Sequence, residues 1–386
     1  MLRKRDHKRQ SGAVSIFIVV FVALLVVVTT VSFMRIMLND QQQATDSDLS
    51  QSAYDSAQAG VEDVKRALML YKMKCASTVP DDVAACNNIK SVLSNQKCNS
   101  LVSKLGDYSG RDTTKEVKVN SGDNNDKYEQ AYTCTLATLN TDDYLGKMSD
   151  DQSAIIPLLG TGSFNQIRVE WFSSKDLSNG VTNISLLSRS RALNKPLLQK
   201  IDWPSNRPPI LRTQLIQFSN SGATSSSFDD GNNANTLFLY PSSGSSVNST
   251  LLFSSARRNT ATQSPSVIYC KDRLNTGSYA CTVTLNLPNP VGGNLDSRVA
   301  YLRLTSLYNK ANFRVTLVGT QFNGVQPEVD STGRANDLYR RIKSRIEFTD
   351  ANYPFPEAAV DINGNFCKSF IVTDDRGDYD DGGCTP

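Results

Sequence analysis

Residues 11–34, SGAVSIFIVVFVALLVVVTTVSFM, are 24 consecutive positions without a charged side chain. At about 1.5 Å of rise per residue they make roughly 36 Å of helix, enough to cross a hydrocarbon core of about 30 Å with some tilt. Arg3, Lys4, Arg5, Lys8 and Arg9 precede the run, whereas Arg35 and then a polar stretch follow it. That bias favours a cytoplasmic N-terminus and an exported remainder. A cleaved secretory signal is the rival reading. Its apolar region is usually about 7–15 residues and ends at a small-residue site, and Thr29-Thr30-Val31-Ser32-Phe33-Met34-Arg35 offers none. The span is expected to stay.

A helical pattern continues beyond it. No proline occurs before Pro80, and Leu49, Ala53, Ala57, Gly60, Val61, Val64, Leu68, Tyr71 and Cys75 recur at spacings of three or four. Such a stripe is one face of a 3.6-residue helix, and it predicts a packing face. Asp48, Asp55, Glu62, Asp63, Lys65 and Arg66 fall on the other side. Membrane span and amphipathic segment together predict one helix over about residues 13–74, with 41–52 the place where it melts or bends. That stretch is rich in Gln, Asp and Ser, which compete with the helical backbone for hydrogen bonds.

A basic leader ending in Gly12, then Ala13 and an apolar helix, then Tyr54-Asp55-Ser56-Ala57-Gln58-Ala59-Gly60-Val61-Glu62, resembles the N-terminus of bacterial type IV pilin-like proteins. It is nearest the minor-pilin group, in which an A-E-A-G-x-E-like segment follows the apolar helix. The resemblance covers about residues 8–68. It implies cleavage between Gly12 and Ala13 by a prepilin peptidase, and packing of the helix among other pilin-like subunits. Two positions depart from the pattern. Phe17 stands at the fifth mature position, where the commonest subunits carry Glu, and Gln58 stands where the signature often has Glu. The first departure points away from a major pilin.

Removing residues 1–12 takes away five Lys/Arg and one Asp, leaving 36 basic against 37 acidic residues, a net charge of −1. The exported part therefore has no excess of basic charge for nucleic acid. The sole histidine, His7, lies in the leader, so no Ser-His-Asp or Cys-His site forms outside. The chain is not expected to be an enzyme. A carboxylate-only glycoside-cleaving site remains the one enzymatic alternative.

All eight cysteines follow the span, which in an oxidising compartment points to disulfides. Cys270 and Cys281 flank a turn around Asn275-Thr276-Gly277 between β-rich runs, and Cys367 and Cys384 would close the C-terminus. Cys75, Cys86, Cys98 and Cys134 are left to pair among themselves.

After the long helix, Pro80-Asp81-Asp82 opens a second one, predicted from Asp81 to about Leu105. Residues 107–130 and 219–235 read as loops. Strands are predicted over 132–137, 166–172, 210–217, 236–239, 267–269, 280–287, 297–304, 312–320, 341–348 and 369–373, from short runs rich in Val, Ile, Thr and Tyr. Residues 203–209, with three prolines within 204–209, read as a domain seam or a rigid turn.

Asp374, Asp375, Asp378, Asp380 and Asp381, with Gly377, Gly382 and Gly383, form a calcium-loop candidate inside the Cys367–Cys384 segment. A solvated acidic tail is the competing reading. Arg376-Gly377-Asp378 and the glycosylation-type triplets at Asn183 and Asn248 are short enough to arise by chance. No other cofactor is expected.

The whole reads as an α+β chain. A basic leader (1–12) precedes a long helix (13–75) with a transmembrane half (13–34), and then an exported, disulfide-containing, antiparallel β-rich domain (76–386). The expected function is that of a minor-pilin or pseudopilin-like subunit of a bacterial surface filament, assembling through its helix and contributing to attachment to a surface ligand. It would sit with its N-terminus cytoplasmic and its domain on the cell surface or in the filament. The alternatives are a permanently anchored single-pass surface adhesin and a membrane-tethered carbohydrate-active enzyme.

Overall fold

The computed structural model describes residues 12–95, 97–105, 116–119, 129–177, 183–194, 198–219, 233–244, 249–253, 265–275, 277–292 and 298–347. The leader 1–11, the Cys367–Cys384 pair, the predicted strand 369–373, the calcium-loop candidate and the Arg-Gly-Asp triplet lie outside them.

One helix, α1 (Gly12–Ala76), takes up 65 residues, about 98 Å at 1.5 Å per residue. It stays helical through 41–52, where the polar composition predicts that it melts or bends. No Gly or Pro lies between Ala13 and Gly60. Local side-chain bonds also follow the helix there: Thr45 Oγ1 donates to the Gln41 carbonyl at 2.9 Å, and Gln51 Nε2 donates to Asp55 Oδ1 at 2.8 Å. The propensity penalty of Gln, Asp and Ser is under about 1 kcal/mol each, too little to break a helix held at its far end.

Ser77 to Val79 separate α1 from α2 (Pro80–Asn95), which has Pro at its first position and Asp81 and Asp82 in its first turn. This helix ends some ten residues before the predicted Leu105. Asn99 adopts a left-handed conformation (φ 57°), and a short 3-10 turn follows at Val102–Lys104. The chain turns there because Cys98 is bonded to Cys134 on a neighbouring strand.

Fifteen strands follow among the described residues. The first five are β1 (Val117–Lys118), β2 (Ala131–Thr141), β3 (Asp143–Met148), β4 (Ser153–Pro157) and β5 (Phe164–Ser173). After β6 (Leu187–Ser188) and the short α3 (Arg189–Asn194) come β7 (Ile210–Ser219), β8 (Ala234–Ser243) and β9 (Ser249–Leu252). The last six are β10 (Ser266–Cys270), β11 (Tyr279–Val291), β12 (Arg298–Leu307), β13 (Ala311–Leu317), β14 (Phe322–Ala335) and β15 (Leu338–Arg345).

They form two sheets. A small antiparallel sheet runs β1-β2-β14-β15, and a large one runs β3-β13-β5-β11-β10-β8-β7-β12-β4, with β6 on β8 and β9 on β11. The large sheet is mixed, because β8–β10, β9–β11 and β6–β8 are parallel pairs. Its terminal strands β3 and β4 follow each other in the chain and touch, so the sheet curls around one core. Trp171, Phe172, Leu211, Val283, Leu302, Phe313 and Phe322 belong to that core. The Cys270–Cys281 disulfide joins β10 to β11 across their hairpin, with Gly277 in the turn at φ 79°.

Residues 203–209 form a packed turn. Trp203 is buried against Ile210 and Tyr240, its indole N–H donates to the Pro208 carbonyl, and the Arg207 guanidinium lies 4.9 Å over its ring. Six strands fall outside the predicted set, and β14 is the most consequential. Its sequence, FNGVQPEVDSTGRA, is rich in residues that strands disfavour. Pro327 sits where the β2–β14 register shifts, between Asn323 and Glu328, and there the missing N–H breaks no ladder bond.

Candidate assembly and anchoring helix

The second half of α1 lies on the small sheet. Ala53, Ala57, Val61, Val64 and Leu68 are buried, as are Ser56, Gly60 and Ala67, while Leu49 and Tyr71 at the ends of the stripe are half-buried. The three-and-four spacing therefore becomes one face against β2, β14 and β15. Val61, Val64 and Leu68 join Ile89, Val102, Tyr132 and Val329 in a core separate from that of the large sheet. Each fully buried Val or Leu contributes roughly 1.5–3 kcal/mol.

Two glycines set how closely helix and sheet approach. A Cβ on Gly333 of β14 would lie 2.2 Å from both the Ala53 carbonyl oxygen and the Ala57 nitrogen. A Cβ on Gly60 would lie 2.5 Å from Ser331 Oγ and 2.8 Å from Thr135 Cγ2. Both are inside van der Waals contact, so strand backbone meets helix backbone at Gly333, and the Ser331 and Thr135 side chains reach the helix backbone at Gly60, only because neither position carries a side chain.

Polar contacts and cross-links fix the register. The Tyr132 hydroxyl donates to Asp63 Oδ2 at 2.8 Å, so Asp63 lies at the flank of the contact and not on the free face. Arg340 Nε and Nη2 donate to Ser50 Oγ at 2.9 and 2.6 Å. At the end of α1, Cys75 is bonded to Cys86 of α2, and Lys74 Nζ donates to Asp82 Oδ1 at 2.5 Å. The Lys74 ammonium, with the Ser77 hydroxyl, holds the Asp82 carboxyl below the usual carboxylate range. The segment after α2 is in turn tied to β2. Asn99 Oδ1 accepts from the Thr135 amide at 2.8 Å and its hydroxyl at 3.0 Å, and Asn99 Nδ2 donates to the Thr133 carbonyl at 3.2 Å.

The first half of α1 is exposed from Ile16 to Leu38, including Phe17, Phe21, Leu24, Leu25, Phe33 and Met37. It is the one helix among the described residues long and apolar enough to cross a membrane. Three hydroxyls near its far end are satisfied within the helix: Thr29, Thr30 and Ser32 donate to carbonyls three or four residues back, at 2.7–3.0 Å. None of these three has to be left unbonded in hydrocarbon. Gly12 and Ala13 lie in the first turn. Along the docked half, Asp48, Asp55 and Glu62 face away from the sheet.

Gly333 and Asn99 are contact residues outside the predicted packing face. An isolated glycine within a strand is the usual signal of a close backbone approach, and it was there to be read at Gly333. Asn99 gives no comparable signal. Among the described residues no group of three or more His, Cys, Asp and Glu is placed to hold a metal. No protein-family model matches the chain, and no curated protein matches its sequence.

Proposed function

We propose that the chain is a minor-pilin or pseudopilin-like subunit of a bacterial surface filament. Its helix is held in the membrane before assembly and packs among the helices of neighbouring subunits afterwards. The observation that carries this reading is the continuity of α1: the exposed apolar half and the sheet-docked half are one uninterrupted helix. From Gly12 to Asp48 it runs roughly 55 Å beyond the docked face. A flexible tether would serve an anchor equally well. A rod fixed to the sheet by close packing, and to α2 by the Cys75–Cys86 disulfide, suits a subunit whose domain has to be placed relative to a helical core.

The resemblance at residues 8–68 supports the same reading and assigns the processing step to a prepilin peptidase acting between Gly12 and Ala13. Basic residues before the span and disulfides after it support a cytoplasmic N-terminus and an exported domain. Phe17 in place of Glu supports a minor or tip position, with attachment as part of the role.

N-terminal sequencing and intact-mass analysis of protein sheared from the cell surface test the proposal. Mature protein starts at Ala13, and Gly12→Asp leaves the precursor in the membrane with its leader. A surface form that starts at Met1 and stays in the membrane identifies a permanent anchor. A start beyond Val31 identifies a secreted protein.

A further inference from the structure

Within the curled sheet, side chains alternate between the core and the opposite face. Leu211 and Leu215 of β7 and Leu302 and Leu304 of β12 point into the core. Arg212, Gln214, Tyr301 and Arg303 therefore stand on the other side. Register brings them together: Arg303 pairs with Gln214, Thr305 with Arg212, and Tyr301 with Ile216. Arg212 is thus the diagonal neighbour of Arg303, and on its other side it lies opposite Phe238 of β8, which is 40% exposed. Tyr301 stacks on Phe218, with centroids 6.3 Å apart and planes 22° apart.

Two guanidinium groups side by side require a counter-charge, and the described residues supply none. Arg212 Nη2 donates to Gln214 Oε1 at 2.8 Å, and neither arginine makes an ion pair among the described residues. The Nε–H groups of both arginines are buried and have no hydrogen-bond partner. An orphaned buried N–H on a charged group is costly, because that donor has given up water and gained nothing. Burial and the neighbouring Arg303 both push the Arg212 guanidinium below its usual range, in keeping with this crowding. Other arginines of the described β domain do have carboxylate partners: Arg314 with Glu170, Arg334 with Glu116 and Glu129, and Arg345 with Asp143.

We propose that Arg212 and Arg303 form the centre of a binding site for an acidic polysaccharide, taking a uronate carboxylate between their guanidinium groups while Phe238 and Tyr301 meet the apolar faces of the sugar rings. A guanidinium fork matches a planar carboxylate in two parallel hydrogen bonds. On this face Arg212, Gln214, Tyr301 and Arg303 are half-buried and Phe238 is exposed, so aromatic groups stand beside both arginines. The exported part carries a net charge of −1, so the broad positive field that nucleic-acid binders use is absent here. This site is independent of the assembly proposal, since neither arginine touches α1.

Calorimetry on the full-length protein in detergent tests it, with oligogalacturonate as the probe and neutral dextran and single-stranded DNA as comparisons. Oligogalacturonate binds, dextran does not, and DNA binds at least about tenfold more weakly. Arg212→Gln and Arg303→Gln each weaken oligogalacturonate by about tenfold or more, and Phe238→Ala by about threefold. Far-UV circular dichroism and Tm establish that each variant folds. If Arg303→Gln does not fold, Arg303→Lys decides, since it keeps the charge and loses the planar fork. A loss of about fivefold supports the site, and unchanged affinity overturns it. Absence of oligogalacturonate binding, unchanged affinity in folded Gln variants, or DNA bound as tightly as the uronate overturns the proposal.

Discussion

Gly333 of β14 lies directly against Ala53 of α1, so close that a Cβ on the glycine would stand 2.2 Å from the alanine carbonyl oxygen. The contact joins residues 280 positions apart in the chain, and it brings a strand backbone against a helix backbone. Small residues at Ala53, Ser56 and Ala57 on one side and Gly333 on the other let the larger Val61, Val64 and Leu68 reach the adjoining core. The long helix is positioned by what is missing from Gly333 as much as by the apolar stripe.

Gly333→Ala is therefore expected to destabilise the domain by about 1–3 kcal/mol, the usual cost of overpacking, because the obstructing atoms are backbone and cannot rotate away. Gly333→Val should cost more. Chemical denaturation followed by tryptophan fluorescence measures both. Unchanged stability in Gly333→Ala would mean that helix and strand are further apart than described.

The two faces of the docked helix should respond oppositely to substitution. Leu68→Asp places a charge without a partner in the core beside Val102 and is expected to cost several kcal/mol. Asp55→Ala, on the exposed face, should stay within about 0.5 kcal/mol. Thermal melts of both variants check this, and equal tolerance on the two faces would contradict the packing.

Asn99→Ala should cost about 2–4 kcal/mol. It leaves the Thr135 amide and hydroxyl without their acceptor and puts a residue ill suited to φ 57° in a left-handed position. Asn99→Gly relieves the backbone and not the hydrogen bonds, so it should recover only part of the loss. Urea midpoints of the two variants separate the terms.

Tyr144 predicts an alkaline limit. Burial, with the Glu347 carboxylate that accepts its hydroxyl at 2.9 Å, raises the Tyr144 phenol well above its ordinary value of 10.0. The native state thus keeps a proton that the unfolded chain releases near pH 10. The associated stability is complete below about pH 10 and falls as pH rises toward the folded value. Burial raises Tyr71, Tyr240 and Tyr279 in the same direction. Absorbance at 295 nm should show these phenolates appearing together with loss of circular dichroism above pH 10. Smooth titration at pH 10 with the fold intact would contradict their burial.

The Cys75–Cys86 disulfide closes an 11-residue separation between α1 and α2. The Cys75→Ala/Cys86→Ala pair should lower stability by roughly 3 kcal/mol on the chain-entropy view. It should also increase hydrogen exchange in the last turns of α1, with Gly60 and its neighbours protected as before.

What the sequence determined by itself is local. An uncharged, mostly apolar run of 24 residues marks a helix long enough to cross a membrane, and a three-and-four stripe needs no tertiary information to mark a packing face. The Cys270–Cys281 hairpin and most of the central strands were legible for the same reason, because their side chains and turn residues favour one local conformation. Tertiary structure decided the rest. Strand β14 exists because β2 and β15 pair with it on either side, although its Gly, Pro and Asp argue against a strand. Helix α2 stops at Asn95 because Cys98 and Asn99 are committed to β2, and α1 stays helical through 41–52 because its far end is already held. The Arg212–Arg303 pair spans 91 positions and arises only from the register of β7 against β12. Periodicity and propensity act over a few residues, whereas contacts such as Gly333 on Ala53 are fixed by packing between segments that no local rule connects.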